Sequence, residues 1–367
     1  MKIKVMTVFG TRPEAIKMAP LVKELESREE IESIVCVTAQ HREMLDQVLN
    51  TFEIIPNYDL DIMQKGQTLV DITTKALQKL DEVIKIVKPD IVLVHGDTTT
   101  TLAGTLASFY NQVLVGHVEA GLRTYDKYSP YPEEINRQIT GIVADMHFAP
   151  TEVAKQNLLN EGKNEETIYV TGNTAIDALK TTVKSDYTHK YIDNIGSNKL
   201  ILITAHRREN IGTNMENMFR AIKRIVEEFE DVEVIYPIHL NPLVREIANN
   251  TLGNNERVKL IDPLDVLDFH NFLNKSYIIM TDSGGIQEEA PALGKPVLVL
   301  RDTTERPEGI KAGTLKLAGV DEETIYKMTK QLLLNSEIYN NMSKASNPYG
   351  DGNASKYIVD AIIEKFK

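Results

Sequence analysis

The sequence predicts an α/β protein of two domains, each a mostly parallel sheet with helices on both faces. Three observations carry this. Short, near-continuous apolar runs alternate with longer stretches of helical periodicity, the pattern of βαβ units whose strands are covered on both sides. The same alternation restarts near position 199. At 367 residues the chain exceeds one ordinary domain, and two is the expected number.

The elements follow in order. KIKVMTVFG reads as a strand, and RPEAIKMAPLVKELESRE as a helix with Pro in its first turn. ESIVCVTA is the next strand, followed by the helix HREMLDQVLNTF. LVDITTKALQKLDEVIKIVKP is a long helix, and DIVLVHGD and QVLVGHVEAG are strands. In the second half NKLILITAHRREN is a strand with a polar exit, NMFRAIKRIVEEFEDV a helix and EVIYPIHLN a strand. The run SYIIMTDSGGIQEEAPALGKPVLVLRDTTERPEG gives strand, Gly-rich turn, helix and strand. The two Rossmann-like halves are expected to hinge near YVTGNTAIDAL, and a loop, NPYGDGNAS, precedes the last helix, KYIVDAIIEKF.

Composition narrows the function. The apolar fraction of 42% and charged fraction of 26% are those of a globular domain. A formal charge of −12 argues against nonspecific nucleic-acid binding, which needs Lys and Arg clusters, but allows a local basic pocket for a phosphorylated ligand. Cys36 is the only cysteine, so neither a disulfide framework nor a cysteine zinc site is expected. No run approaches the roughly 18 apolar residues of a membrane span. The N-terminus lacks the pattern of a signal peptide, so a cytoplasmic protein is expected.

In open parallel sheets ligands bind beyond the carboxyl ends of the strands. The candidates are therefore the polar residues that leave them. In the first half these are Gly10, Thr11 and Arg12, then Gln40 and His41, Gly96 and Asp97, and His117 to Glu119. In the second they are His206 to Arg208, His239, Asp282 to Gly285, and Arg301 to Arg306. Facing each other, the two sets would line a cleft. Ser283, Gly284 and Gly285 follow a strand and open a helix, where exposed N–H groups suit a diphosphate. Glu289 lies one turn on, in reach of ribose hydroxyls; the structural alternative is a Gly-rich turn with a capping Asp or Ser. Arg12 and Lys17 near a helix start point to an anion, because the macrodipole there disfavours cations. With the Arg residues of TAHRREN and RDTTERPEG they suggest a basic cleft in an acidic protein.

Asp97, Glu119 and Glu133 crowd one segment. Singly, each reads as a cap or as a partner of Arg123 or Arg137. Together they suggest acid/base chemistry, since carboxylates in a dry site are tuned toward neutral pKa. No HxH or HExxH spacing supports a metal site, and neither GxGxxG after the first strand nor GxxxxGK[ST] is present.

The motifs FGTRPEAIKMAP, TAQHREMLDQ, VHGDTTTT, GHVEAGLRT, PEEINR, TGNTAIDAL, TAHRREN, HLNP, TDSGGIQEEAP, GKPVLVLRDTTERPEG and NPYGDG span the chain. On them the sequence resembles the bacterial non-hydrolysing UDP-N-acetylglucosamine 2-epimerases. The resemblance implies a GT-B type fold, two Rossmann-like domains with parallel sheets facing a central cleft, and a homodimer. It implies that the C-terminal helix, 355–367, returns to the first domain, giving 1–172 with 355–367 and 173–354. It implies reversible interconversion of UDP-GlcNAc and UDP-ManNAc without metal or nicotinamide cofactor, supplying ManNAc for cell-surface polysaccharide or teichoic acid synthesis. By the same resemblance Asp97, Glu119, Glu133 and His206 are catalytic. Arg12, Lys17, Phe269, Ser283, Gly284, Gly285, Glu289 and Arg306 bind the substrate and its UDP. Gln40, Arg207 and His239 match an allosteric UDP-GlcNAc site. Gly66 departs from members that carry Arg before the QTL motif, which puts one activator contact in question.

The chemistry agrees with this. The sugar C2 proton is not next to a carbonyl, so direct abstraction is too hard. Expelling UDP first places positive charge at C1 and acidifies C2–H. A hydrolysing epimerase releasing UDP and ManNAc, a GT-B glycosyltransferase needing an acceptor, and a silent nucleotide-sugar sensor are the alternatives.

Overall fold

The computed structural model describes residues 2–39, 42–64 and 66–367. The chain forms two compact units, Met1–Thr181 with Tyr349–Lys367, and Thr182–Pro348.

In the first unit the strands are β1 (Ile3–Phe9), β2 (Ile31–Val37), β3 (Tyr58–Asp59), β4 (Ile91–His95), β5 (Leu114–Val118), β6 (Met146–Ala149) and β7 (Ile168–Val170). Among the described residues they form one sheet in the order β3-β2-β1-β4-β5-β6-β7, and every pairing is parallel. The order reverses between β1 and β4, which both pair within the sheet centre. Such a reversal splays the loops apart and opens a crevice at the strand ends. Val5, Met6, Val8, Val92, Leu93 and Val94 are buried on both faces, as the apolar runs require.

The second unit holds β8 (Lys199–Thr204), β9 (Val232–Pro237), β10 (Val258–Ile261), β11 (Ile278–Thr281), β12 (Val297–Val299) and β13 (Leu315–Leu317). Their order among the described residues is β10-β9-β8-β11-β12-β13, again parallel, with the reversal between β8 and β11. Helix Thr213–Glu228 turns Met215, Phe219, Ile222 and Val226 into this core.

The units divide at 181/182 and 348/349, whereas the sequence reading placed the divisions at 172/173 and 354/355. Two tertiary contacts account for this. Asp177 accepts hydrogen bonds from Ala354 N and Ser355 N at 3.1 and 2.8 Å, so helix Thr174–Thr182 caps the start of helix Ala354–Lys365. Gly172 and Gly350, both at positive φ, let their backbones touch: a Cβ on Gly172 would lie 2.9 Å from Gly350 Cα. The last helix then packs on helix Arg12–Glu26, and Arg28 Nη2 reaches Asp360 at 2.8 Å. Among the described residues no helix is long and apolar enough to cross a membrane.

Candidate active site

The first unit gathers its charged candidates at the ends of β1, β4 and β5, beside the reversal. Arg12 opens the helix after β1. Asp97 follows β4 and Glu119 follows β5, and the two loops are laced together because Gly96 N donates to Val118 O at 2.9 Å. Glu119 has φ 63°, a left-handed conformation that a non-glycine residue adopts at a cost of about 1 kcal/mol or more. Its carboxylate is tied down on one side by an ion pair with Lys17 and on another by Asn173 Nδ2 at 2.8 Å. The ammonium of Lys17 thus meets a carboxylate here.

Asp97 pairs with Arg137 (Oδ2 to Nη1, 3.3 Å), and its backbone carbonyl accepts from Asn136 Nδ2 at 2.9 Å. Burial pushes its carboxyl up to about 6. Arg137 and Lys17 oppose the rise, while Glu119 and Glu133 add to it by repulsion. Asp97, Glu119 and Glu133 therefore share one electrostatic neighbourhood, with Arg137 and Lys17 among them. Glu133 begins helix Glu133–Val143 and is half-buried. Its neighbour Glu134 is fully buried and structural: it bonds Arg137, Gln138 and the N–H groups of Thr124 and Tyr125. Arg123 pairs with Glu161 at 2.6 Å rather than with the cluster.

Two supports hold these loops, of which the sequence pointed to His117 alone. Glu14 is buried, and its oxygens accept from Gly10 N (3.1 Å), Thr11 N (2.8 Å), Thr11 Oγ1 (2.8 Å) and Thr98 Oγ1 (2.7 Å). It clamps the Arg12 loop to the Asp97 loop. His95 and His117 are buried on neighbouring strands, and burial drops them to about 4 and about 3, so both are neutral. His117 Nε2–H donates to Gly96 O at 2.7 Å and fixes the turn before Asp97.

In the second unit the candidates stand beside the reversal between β8 and β11. His206 leaves β8 with its ring exposed, stacked on His239 at 5.4 Å between centroids and 12° between planes. Ser283 to Gly285 follow β11 and lead into helix Ile286–Ala292, with Arg306 within 3.7 Å of a Cβ placed on Gly284. Glu289 sits under this turn. His270 Nε2 lies 3.6 Å from it, and His270 Nδ1 is bonded to Thr182 Oγ1 at 2.7 Å, so the histidine aims the carboxylate. Phe269 packs half-buried against the same layer.

The expected surplus of cations takes a different form. Arg306 pairs with Glu288, Arg301 with Glu305 at 2.7 Å and Glu209 at 3.2 Å, and Arg207 approaches Glu305 at 3.6 Å. Burial works against ionisation of Glu305, but Arg301 outweighs it and holds the carboxyl down to about 2. The guanidinium groups are thus oriented by carboxylates of the same unit. Gln40 lies outside the described residues. Gly66 has φ 79° with open space around it, a backbone an Arg would occupy only under strain. Among the described residues no group of three His, Cys, Asp or Glu is placed to hold a metal ion.

Two doubly wound parallel sheets, each with charged groups at its reversal, define a protein of the GT-B class. The sequence profile of the UDP-N-acetylglucosamine 2-epimerases matches residues 23–363. The UDP-N-acetylglucosamine 2-epimerase of Bacillus subtilis (strain 168) is 67% identical over 362 residues, covering 99% of this chain and 95% of that protein. A crystal structure of a Listeria monocytogenes protein described as a putative UDP-N-acetylglucosamine 2-epimerase superposes with TM-score 0.97 at 61% identity, covering 100% and 97% of the two chains. A Neisseria meningitidis UDP-GlcNAc 2-epimerase, crystallised bound to UDP-GlcNAc, gives TM-score 0.88 at 50% identity, covering 99% and 100%. The chain belongs to the UDP-N-acetylglucosamine 2-epimerase family.

Proposed function

We propose that this protein interconverts UDP-N-acetylglucosamine and UDP-N-acetylmannosamine without releasing the sugar. The observation that carries the reading is the trio of Asp97 and Glu119, beyond the ends of β4 and β5, and Glu133, at the start of the next helix, with Asp97 raised to about 6. Such a group changes protonation near neutral pH, as a proton-transfer catalyst must.

The chemistry runs through elimination. The C1–O bond to UDP breaks, and its electron pair leaves with the diphosphate. Positive charge builds at C1, C2–H is acidified, and a carboxylate takes the proton as the C1=C2 bond forms. A second carboxyl group delivers a proton to the opposite face of C2, and UDP adds back to C1. The turn Ser283–Gly285, with Glu289 and Arg306, suits the nucleotide. Phe269 stands beside it for the base. Arg12 and Lys17 suit the diphosphate, with Lys17 exchanging its Glu119 partner for phosphate oxygens. His206 serves the departing or returning phosphate.

Further parts of the reading are a homodimer, an activating UDP-GlcNAc site at Gln40, Arg207 and His239, and a role in supplying ManNAc units to surface polysaccharide or teichoic acid. Phe109, Tyr110 and Ile142, exposed apolar side chains on two helices packed together, favour self-association. The pairing of His239 on His206 and of Arg207 on Glu305 favours coupling between an activator and the reacting centre.

NMR of UDP-GlcNAc with the protein alone tests the function. UDP-ManNAc signals should appear with no acceptor added. Free ManNAc with UDP would favour a hydrolysing enzyme, and an unchanged spectrum would favour a transferase or a sensor.

A further inference from the structure

The side chain of Asp282 is wholly buried at the end of β11. Its Oδ2 is saturated: His206 N and Arg207 N each donate at 2.9 Å, and Asn210 Nδ2 at 3.1 Å. Its Oδ1 is buried without a hydrogen-bond partner among the described residues. A carboxylate oxygen left so is costly, by about 1–3 kcal/mol. Unpaired buried acceptors are rare in native proteins, and each calls for an explanation such as a catalytic role. The ring atom facing Oδ1 is Nδ1 of His206, at 3.7 Å. The loop that carries His206 is itself held by Oδ2 of the same side chain. The imidazole is half-exposed and stacks on His239.

We propose that Asp282 is the positioning residue of His206, accepting Nδ1–H so that Nε2 is turned to the substrate, where the protonated ring donates Nε2–H to the diphosphate. This rests on the role given to His206 above. The carboxylate fixes the tautomer of the neutral ring and stabilises the imidazolium that forms when His206 takes a proton from solvent before UDP leaves, and it touches no substrate itself. One side chain thereby performs two tasks, anchoring the loop through Oδ2 and orienting the ring through Oδ1. In Asp282→Asn the amide oxygen keeps the three loop donors, while the NH2 replaces Oδ1. It presents a donor to Nδ1 and forces the Nε2–H tautomer.

The test has two arms. With the protein labelled at histidine nitrogens and His206 assigned by its loss in His206→Asn, NMR above the imidazole titration reads the tautomer directly. The wild type should carry the proton on Nδ1, and Asp282→Asn on Nε2. A wild-type Nε2–H tautomer overturns the proposal, and this arm stands even if the variant folds poorly. In the second arm, kcat should fall by about 10²–10⁴-fold in Asp282→Asn, as in His206→Asn. The double variant should be no slower than the single ones, because both remove the same function. Losses that multiply overturn the proposal, since they mean Asp282 acts apart from His206. If His206→Asn retains full activity, the catalytic role of His206 fails, and the NMR arm still decides what Asp282 does to the ring.

Discussion

Replacing Asp97 by Asn should stabilise the first unit while stopping the reaction. The carboxyl of Asp97 rises from 3.8 to about 6 on folding, chiefly through burial. Between those values the folded chain holds a proton that the unfolded chain has lost. The stability contributed by the protonated form is therefore present below pH 4 and is lost as pH rises through 6. About two units at 1.36 kcal/mol each set an upper bound of about 3 kcal/mol. The side chain is 28% exposed, so solvent screening reduces this to about 1–2 kcal/mol. Asparagine is uncharged throughout and escapes the cost. It also strands no cation, because Arg137 keeps Glu134 and Lys17 keeps Glu119. Urea unfolding read through hydrogen exchange of the β4 and β5 amides reports on this unit separately. The variant should match the wild type near pH 4 and exceed it above pH 7, with kcat lowered by about 10²–10⁴-fold. A difference that does not change with pH, or a variant less stable at pH 8, would refute the reasoning.

Glu119→Gln should have the opposite sign, losing about 1–3 kcal/mol at neutral pH, because a neutral amide replaces the carboxylate that pairs with the largely buried ammonium of Lys17; denaturant midpoints measure it. Glu14→Gln should cost about 1–3 kcal/mol and lower kcat, since its amide N–H2 faces donors from the Arg12 or Asp97 loop, and calorimetry should show weaker UDP binding because the loop that carries Arg12 loosens. Pure UDP-ManNAc should turn over with a lag that added UDP-GlcNAc removes; hyperbolic kinetics from the first second would remove the activating site from the account.

The strand ends were legible in the sequence because apolar runs ending in polar residues obey a rule about open parallel sheets. Asp97, Glu119, His206 and Ser283 all stand where that rule puts them. The short strands β3, β6, β7, β10 and β13 were not read, since their two to four residues carry too little pattern to register without a motif beside them such as the SGG turn that links β11 and β12. Glu133 and Glu134 look alike in PEEINR, but about 100° of helical rotation separates them, and only packing shows that the second belongs to Arg137. Glu14 was not singled out in the sequence, because its bond to Thr98 joins segments far apart in the chain. The arginines looked like surplus charge because their partners, Glu209, Glu288 and Glu305, are assigned only by the fold. The unit boundaries depend on Asp177 and on the Gly172–Gly350 contact, which are likewise tertiary.

The central claim is elimination of UDP with proton transfer at C2, and the reaction in D₂O tests it most directly. A carboxylic acid exchanges its proton with solvent, so UDP-ManNAc formed from UDP-GlcNAc should carry deuterium at C2, seen by NMR as loss of the C2–H signal. UDP-ManNAc that retains its C2 proton even at equilibrium would contradict the account.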